Sequence, residues 1–237
     1  MTWGAVIVAA GRGVRFGGPK QLIELAGKPM LAWSVGTFAS LPEIVELIVV
    51  TEPDFIASIQ AVCAAHAGGM PWRVVAGGAT RQESVRLGLA ALQAPCEGVL
   101  VHDGARPLVS AQDVRAGMQP VRPGTATLLA MPVVDTIKVA NDARQVVRTL
   151  DRATLWAAQT PQFATVRDLQ RAHADARQLG LPAATDDAAL LEGAGCEVLL
   201  IPASDENFKV TLPGDRARAE ALLRERAARE PQRVPHA

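Results

Sequence analysis

The sequence predicts an α/β domain in which a mostly parallel β-sheet is covered by helices on both faces. Uninterrupted apolar runs of strand length, such as AVIVAA at residues 5–10 and GVLVHD at residues 98–103, are typical of strands buried on both faces. Segments with helical periodicity separate these runs, and this alternation indicates a parallel sheet. The chain has 237 residues, of which 49% are hydrophobic, a size that fits one domain or two small ones. One domain, residues 1–230, is the simpler interpretation.

The predicted elements follow one another along the chain. Strands are predicted at residues 5–10, 44–50, 72–76, 98–103, 126–134 and 196–203. Thr80 with Glu83, and Ser110 with Asp113, have the spacing of helix capping boxes, and Pro29 suits a first helical position. These signals set the helix starts that follow the apolar runs.

A hairpin is predicted between the fifth and sixth strands. Residues 135–150 alternate polar and apolar side chains around Asn141-Asp142, which favours a two-stranded β-arm spanning about residues 133–155. Such an arm would pair with a second subunit in a homodimer, and the alternative is a solvent-exposed hairpin of a monomer. A charged, alanine-rich helix at residues 215–230 precedes a polar tail, residues 231–237, which we expect to be disordered.

Composition argues against several classes of protein. Lysine plus arginine equals aspartate plus glutamate at 24 each, and the chain has no tyrosine, so nucleic-acid and anionic-membrane binding are disfavoured. Three scattered cysteines and four dispersed histidines give neither a disulfide framework nor the paired spacing of a transition-metal site. The apolar stretches are too short to span a membrane, and no signal-peptide pattern occurs. We expect a cytoplasmic protein.

A loop dense in glycine and cations, AAGRGVRFGGPKQ at residues 9–21, follows the first strand. Glycines let backbone N–H groups approach phosphate oxygens, and the carboxyl ends of strands form the usual ligand crevice of such sheets. The predicted phosphate contacts are the backbone of Ala9, Ala10, Gly11 and Gly13 and the side chains of Arg15 and Lys20.

Two familiar nucleotide motifs do not fit this loop. Phe16 stands where the dinucleotide fingerprint needs glycine, and Gly18-Pro19-Lys20-Gln21 lacks the Gly-Lys-Ser/Thr of a P-loop. A tight surface turn would explain the glycines but not the clustering of Arg12, Arg15 and Lys20. We therefore favour phosphate binding of another kind.

Asp103 closes the VHD strand at the edge of the sheet where the glycine loop is expected. A carboxylate there can reach a Mg²⁺ ion bound to phosphates. Its ordinary alternative is to cap the next turn, but the adjacent Gly104-Ala105-Arg106 offers space beside a cation, so we favour the metal-ligand role. We assign His102 a structural role.

Further segments narrow the interpretation. The loop pattern AAGxGxRF with PKQ is followed by AGGATRQESV (76–85), VHDGARP (101–107), DTIK (135–138), TPQF (160–163), TDD (185–187) and NFKVT (207–211). In this order they resemble the 2-C-methyl-D-erythritol 4-phosphate cytidylyltransferase family over nearly the whole chain. The resemblance implies a Rossmann-like nucleotidyltransferase fold, Mg²⁺ as the cofactor, and transfer of CMP from CTP to 2-C-methyl-D-erythritol 4-phosphate with release of pyrophosphate.

The resemblance also implies residue roles. Arg15 and Lys20 would stabilise the CTP phosphates during reaction, and Gly78, Ala79 and Ser84 would meet cytosine. Ala79 stands where family members can have aspartate, so only backbone contacts are expected of it. The residues expected around the acceptor are Arg106, Thr136, Arg152, Thr160, Thr185 and Lys209, of which Arg152 and Lys209 would also act in catalysis by gripping the attacking phosphate.

Ordinary structural roles compete with these assignments. Thr185 would cap a helix, Lys209 would be a solvated strand charge, and Arg152 would pair with Asp151 or Glu192. At the level of function, the alternatives are a cytidylyltransferase for ribitol 5-phosphate or another polyol phosphate, and a nonenzymatic nucleotide-binding module.

Overall fold

The computed structural model describes residues 1–11 and 20–229. Over these residues the strands are β1 (Trp3–Val8), β2 (Glu24–Leu25), β3 (Lys28–Pro29), β4 (Ile44–Thr51), β5 (Trp72–Ala76), β6 (Gly98–Asp103), β7 (Thr125–Pro132), β8 (Lys138–Ala140), β9 (Val146–Thr149), β10 (Trp156–Thr165) and β11 (Glu197–Pro202). The α-helices are α1 (Met30–Ala39), α2 (Ile56–His66), α3 (Arg81–Ala90), α4 (Ala111–Met118), α5 (Val166–Gln178), α6 (Asp187–Gly193) and α7 (Pro213–Arg229).

The central sheet is mostly parallel, as predicted. Within the described part of the chain it has seven strands in the order β11-β7-β10-β6-β1-β4-β5. Strands β6, β1, β4 and β5 run parallel to one another, and β11 runs parallel to β7. Strand β10 is antiparallel to both of its neighbours. The six predicted strands are all present, with ends within two residues of the predicted ones.

Strand β10 is the sheet element that sequence patterning missed. Its sequence, WAAQTPQFAT, shows no alternation of polar and apolar residues and contains Pro161, which normally excludes a central strand because proline has no N–H to donate. The structure accommodates the proline at an irregularity, where pairing with β7 shifts register between Ala158 and Gln162. Pairing with β6 continues from Gln162 to Thr165.

Helices cover both faces of the sheet, which explains the uninterrupted apolar runs. Ala5 and Ile7 of β1 pack in the core beneath α1, α2 and α4, whereas Val6 packs in the core beneath α3, α5 and α6. Helix α3 approaches the sheet closely at Gly88, where a Cβ atom would lie 2.6 Å from Val6 Cγ1. Close contact here places the first turn of α3 beside the end of β1.

The predicted helix starts are largely confirmed. Thr80 Oγ1 accepts a hydrogen bond from the Glu83 amide at 3.1 Å, and Ser110 Oγ accepts one from the Asp113 amide at 3.0 Å. Pro29 lies one residue earlier than predicted, at the N-cap of α1 with ψ 141°. Helix α7 matches the predicted charged helix and begins at Pro213, while the predicted tail at 231–237 lies outside the described residues.

The predicted hairpin is confirmed as a separate two-stranded sheet of β8 and β9. Its turn is held by Asn141, whose Oδ1 accepts from the Gln145 amide at 2.9 Å. The arm leaves the main sheet after β7 and rejoins it at β10. Val134, Val146 and Val147 on this arm are 72%, 62% and 63% exposed.

Over residues 1–11 and 20–229, every helix is too short or too polar to cross a bilayer.

The three cysteines are free thiols. Cys63 and Cys196 are buried, and Cys96 is half-buried. Burial raises the pKa of the Cys63 thiol to about 12, so this side chain behaves as a small apolar residue.

His173 on α5 makes the fold sensitive to acid. It is 3% exposed, and its Nε2 atom is buried without a hydrogen-bond partner among the described residues. Burial, helped by the nearby Arg86 and Arg81 and opposed by Glu83, lowers the pKa of His173 to about 4. The pKa of this histidine is about 6.5 in the unfolded chain. Between about pH 6.5 and pH 4 the unfolded chain therefore binds a proton that the folded chain does not, and stability is lost as the pH falls.

We predict that the free energy of unfolding falls by about 2 kcal/mol from this side chain alone between pH 7 and pH 5, because protonation favours the unfolded state. Urea denaturation of wild type and His173→Gln at both pH values measures this, and the variant should lose less stability over the interval. Equal losses in the two proteins would show that His173 does not titrate in this range.

Candidate functional site

A cleft of about 250 Å³ lies at the carboxyl ends of β1, β5 and β6. Parallel strands bring their carboxyl ends to one edge of the sheet, and the loops that follow them form the walls. Its lining residues are Val8, Ala10, Gly11, Lys20, Gln21, Gly78, Ala79, Thr80, Arg81, Ser84, Asp103, Ala105 and Lys209. The cleft thus brings together eight of the residues predicted from the sequence: Ala10, Gly11, Lys20, Gly78, Ala79, Ser84, Asp103 and Lys209.

Asp103 is the centre of a charge cluster in this cleft. Its Oδ2 accepts from Lys209 Nζ at 2.8 Å, and its Oδ1 accepts from Arg81 Nε at 3.2 Å. Burial alone would raise the pKa of Asp103, but Arg81 and Lys209 outweigh it and hold the pKa well below its usual range. The carboxylate is therefore ionised at any pH near neutrality.

Arg81 is shared between two carboxylates. Its Nη1 lies 2.9 Å from Asp187 Oδ2, at the start of α6. Burial lowers the pKa of Arg81 and the two carboxylates raise it, with a net rise. Burial raises the pKa of Asp187 although Arg81 opposes it. Arg81 thus joins two carboxylates, whereas Lys209 pairs with Asp103.

The loop after β1 is shaped by Gln21. This buried amide donates to the carbonyl oxygens of Ala9 and, at 3.3 Å, of Gly11. Lys20 Nζ reaches across the cleft to the Val210 carbonyl at 3.3 Å, which places its charge next to the segment that carries Lys209. Ala9 itself is buried beneath the cleft. Arg15 and Gly13 lie outside the described residues.

A narrow wall is formed by the turn before α3. Ser84 Oγ accepts from the Gly78 amide at 3.2 Å and donates to the Thr80 carbonyl at 2.9 Å. A Cβ atom on Gly77 would lie 2.8 Å from Ala10 Cβ and 2.9 Å from Ser84 Oγ. The backbone of this turn therefore packs directly against Ala10, in the loop that follows β1.

A buried hydrogen-bond chain supports Asp103 from below. The Asp103 amide donates to Thr160 Oγ1 at 3.0 Å, and Thr160 Oγ1 lies 3.2 Å from His102 Nδ1. His102 Nε2 lies 3.1 Å from the Arg106 carbonyl, which can only accept. Nε2 therefore carries the proton and Nδ1 accepts from Thr160. Burial lowers the pKa of His102 to about 4, consistent with this neutral form.

A second set of contacts positions Lys209. Arg106 Nη1 donates to the Asn207 carbonyl at 2.7 Å, and buried Asn207 Nδ2 donates to the Thr160 carbonyl at 2.9 Å. These bonds fix the segment just before Lys209, so its ammonium group faces Asp103. Arg106 and Thr160 thus adjoin the cleft and help to build it, and their predicted contact with an acceptor stays a prediction.

Three predicted acceptor residues lie apart from this cluster. Thr136 and Arg152 are exposed on the arm, and Arg152 Nη1 donates to the Val134 carbonyl at 2.8 Å. Thr185 is exposed in the segment before α6. The ordinary alternatives fail as well. Asp186, not Thr185, caps α6 through a 3.0 Å bond from the Ala189 amide, and Lys209 is ion-paired. Within the described residues, Arg152 forms no ion pair with Asp151 or Glu192 and bonds the Val134 carbonyl instead.

Sequence reasoning missed Arg81 and Asp187 as site residues. Both lie in segments that carried the resemblance, TRQES and TDD. A cation at the first position of α3 is a weak local signal, because the positive end of a helix dipole disfavours it there. The unfavourable position of Arg81 is offset by its contacts with Asp103 and Asp187, which lie outside α3.

The carboxylate content of the cleft suits a phosphate-bound divalent cation. Asp103 is the one acidic residue among the described residues that line it, and across the described chain there is no group of three or more His, Cys, Asp or Glu able to hold a metal. Mg²⁺ is commonly held by one or two carboxylates together with substrate phosphates and water. Asp103 fits that arrangement. The described residues do not fit a site in which protein side chains alone hold the metal.

Comparisons with known proteins agree with the geometry. The sequence profile of the family described as 2-C-methyl-D-erythritol 4-phosphate cytidylyltransferase matches residues 4–225. A protein of that name from Prochlorococcus marinus is 42% identical over 224 residues, which cover 94% of this chain and 98% of the relative. Another from Streptomyces avermitilis is 43% identical over 235 residues and covers 94% and 92% of the two chains.

Solved structures give the same result. The 4-diphosphocytidyl-2C-methyl-D-erythritol synthase of Anaerococcus prevotii superimposes with a TM-score of 0.82 at 29% identity, covering 94% of this chain and 98% of that one. The 2-C-methyl-D-erythritol 4-phosphate cytidylyltransferase of Thermus thermophilus gives a TM-score of 0.77 at 34% identity, covering 94% and 100%. The Rossmann-like fold implied by the sequence is confirmed.

We predict that Thr160→Val lowers the free energy of unfolding by about 1–3 kcal/mol, because it leaves the Asp103 amide and His102 Nδ1 buried without a partner. Thr160→Ser keeps the hydroxyl and should stay close to wild type. Urea denaturation of the three proteins at pH 7 measures the difference. Equal losses in the valine and serine variants would show that the hydroxyl chain does not support the fold.

Proposed function

The chain belongs to the 2-C-methyl-D-erythritol 4-phosphate cytidylyltransferase family, and we propose that it transfers CMP from CTP to 2-C-methyl-D-erythritol 4-phosphate. The products are 4-diphosphocytidyl-2-C-methyl-D-erythritol and pyrophosphate, in the non-mevalonate route to isoprenoid precursors. The observation that carries the proposal is the cleft lined by Lys20, Lys209, Arg81 and Asp103, in which Lys209 and Arg81 donate hydrogen bonds to Asp103. Cations there suit a reaction between two anionic phosphates.

The chemistry requires positioning and charge stabilisation more than proton transfer. An oxygen of the acceptor phosphate forms a bond to the α-phosphorus of CTP while the bond from that phosphorus to the bridging oxygen breaks. The bonding electrons leave with pyrophosphate. The acceptor phosphate is already ionised near neutral pH, so a general base is not needed. Preorganised cations instead offset the charge that develops on the transferring group.

The cations have distinct roles in this proposal. Lys20 would contact the CTP phosphates from the loop after β1, together with Arg15. Lys209, on the opposite wall, would hold the acceptor phosphate as a point charge. Lys20 Nζ lies 3.3 Å from the carbonyl of Val210, the residue after Lys209, so the two lysines would approach the reacting phosphates from adjacent positions.

We propose Mg²⁺ as the cofactor and Asp103 as the residue that holds it. When bound, the ion would neutralise part of the triphosphate charge and the growing charge on pyrophosphate. Asp103 is suited to this task because its carboxylate is held ionised and oriented by Arg81 and Lys209.

Cytosine would bind against the turn before α3, whose residues Gly78 and Ala79 line the cleft. The backbone of Gly78 and Ala79, and the Ser84 hydroxyl that fixes this turn, provide polar groups for a base edge. Ala79 has no polar side-chain atom, so its contribution would come from the backbone.

The decisive assay measures pyrophosphate release from CTP and Mg²⁺ with 2-C-methyl-D-erythritol 4-phosphate, with ribitol 5-phosphate, or with no acceptor. We expect release with the first acceptor in strong preference to the second. Lys20→Ala should lower kcat by about 100-fold or more, because it removes a cation that stabilises the transferring phosphoryl group. Chelating Mg²⁺ should abolish release.

Lys28→Ala is the matched control for the lysine substitution. Lys28 is exposed in β3, stacks over Trp33, and does not line the cleft, so its removal should leave kcat near wild type. Preference for ribitol 5-phosphate would keep the chemistry but overturn the proposed acceptor. CTP binding without release for either acceptor would favour a nonenzymatic nucleotide-binding module.

We also propose that the chain acts as a cytoplasmic homodimer joined through the β8–β9 arm. The supporting observations are the exposed valines of the arm and the position of Thr136 and Arg152, which do not line the cleft of their own chain in its described part. An arm that crosses to a second copy would bury the valines and bring these two side chains to the partner's acceptor site. Free thiols fit a reducing compartment.

We predict that replacing Val146 and Val147 together by lysine converts the dimer to a monomer, because two charges would replace apolar contacts at the interface. Sedimentation equilibrium measures the mass, and the same samples should show a fall in kcat. Replacing the exposed Leu179 and Leu181 by lysine is the control, since they lie away from the arm. An unchanged mass in the valine variant would contradict the arm interface.

A further inference from the structure

We propose that Arg81 is a positioning residue that holds the Asp103 carboxylate for the nucleotide and links it to the segment carrying Thr185. The inference rests on the proposed function, which it deepens by assigning a role to a residue outside the predicted site. In the proposed mechanism Arg81 contacts neither the CTP phosphates nor the acceptor phosphate. Its effect would therefore be exerted through Asp103.

Arg81 is fixed at two points. Its Nε binds Asp103 Oδ1 at 3.2 Å, and its Nη1 lies 2.9 Å from Asp187 Oδ2. The planar guanidinium group presents donors in a fixed fork, so anchoring one branch orients the other. Asp187 is 1% exposed and is the first residue of α6. Neither of its carboxylate oxygens has a hydrogen-bond partner among the described residues, so the ion pair with Arg81 is the contact that stabilises its charge.

The charge balance explains why both contacts are needed. A buried, ionised Asp187 without a cation would be strongly unfavourable, and Arg81 is the cation that lies beside it. Arg81 and Lys209 both form ion pairs with Asp103, and the charge of Arg106 also lowers the pKa of Asp103. Removing Arg81 would therefore leave Asp187 without the cation that pairs with it, and would leave Asp103 with Lys209 as its ion-pair partner among the described residues.

Arg81 and Lys209 are not equivalent supports for Asp103. The Lys209 side chain is 40% exposed and makes one contact to the carboxylate, whereas the Arg81 side chain is 25% exposed and anchored at both carboxylates. In the proposed reaction the Lys209 ammonium would turn toward the acceptor phosphate. Arg81 would then be the group that keeps Asp103 from rotating when Lys209 leaves it.

A second contact joins the first turn of α3 to the segment before α6. Gln82 Oε1 accepts from the Ala184 amide at 2.8 Å, next to Thr185. The first turn of α3 is thus joined at two points to the segment 184–187. Helix α3 also carries Ser84, which is proposed to lie beside cytosine. These two contacts would therefore connect the nucleotide side of the cleft with the acceptor side.

The test compares wild type with Arg81→Gln, Arg81→Lys and Asp187→Asn. We expect Arg81→Gln to lower kcat at least 10-fold and Arg81→Lys to recover part of the loss, because lysine keeps the charge but can contact one carboxylate at a time. Asp187→Asn keeps the Arg81–Asp103 bond and should lose stability but less kcat. Arg86→Gln is the matched control: Arg86 lies on the same helix, pairs with Glu83 and does not line the cleft.

One double variant separates positioning from general destabilisation. If Arg81 acts through Asp103, then adding Arg81→Gln to Asp103→Asn should change kcat by less than about twofold. If Arg81→Gln lowers the activity of Asp103→Asn by the same factor as that of wild type, the inference is overturned. Equal kcat losses in Arg81→Gln and Asp187→Asn, at equal stability, would also overturn it.

A binding measurement keeps this inference separate from the proposed activity. Isothermal titration of CTP is carried out with and without Mg²⁺, in the absence of any acceptor. We expect Arg81→Gln to weaken CTP binding several-fold more with Mg²⁺ than without it, since Asp103 would be displaced. Equal weakening in both conditions would refute the positioning role even if pyrophosphate release fails for the wild type.

Discussion

The pairing of β1 with β6 is the constraint on which the site depends. Their parallel register sets Val8 opposite Asp103, so Ala10 and Gly11, at the start of the loop that leaves β1, lie at the same edge of the sheet as the carboxylate that ends β6. Both strands are buried, which makes a shift of register costly because it would move apolar side chains out of the two cores. The spacing between phosphate loop and carboxylate is therefore set by hydrophobic packing.

The opposite wall of the cleft depends on polar contacts. Strand β10 runs antiparallel beside β6 and brings Thr160 under the Asp103 amide, and Thr160 in turn accepts and donates within a chain that includes His102. Asn207 ties the segment before Lys209 to the same strand. Buried hydrogen bonds of this kind favour one geometry, because a buried group that loses its partner stays desolvated. The lysine that would grip the acceptor is thus positioned by a strand on the far side of β6.

The sequence predicted the parts of this design that depend on local signals. Apolar runs placed the six strands, Thr80 and Ser110 marked two helix starts, and glycines after β1 marked the loop, because each pattern reflects short-range geometry. Strand β10 escaped prediction because Pro161 breaks its pattern and its pairing is set by β6 and β7. The shared role of Arg81 escaped prediction because its two carboxylates come from distant parts of the chain and meet only when α3, β6 and α6 are packed together.

The arm begins and ends at neighbouring points of the sheet, since Pro132 of β7 pairs with Trp156 of β10. Everything between these two residues is an insertion closed at its base by existing strand pairing. The entropy of closing such a loop rises slowly with its length, so residues can be added to or removed from the arm with little effect on the folding of the domain. Its length is therefore free to change among related proteins at little cost to the folding of the core.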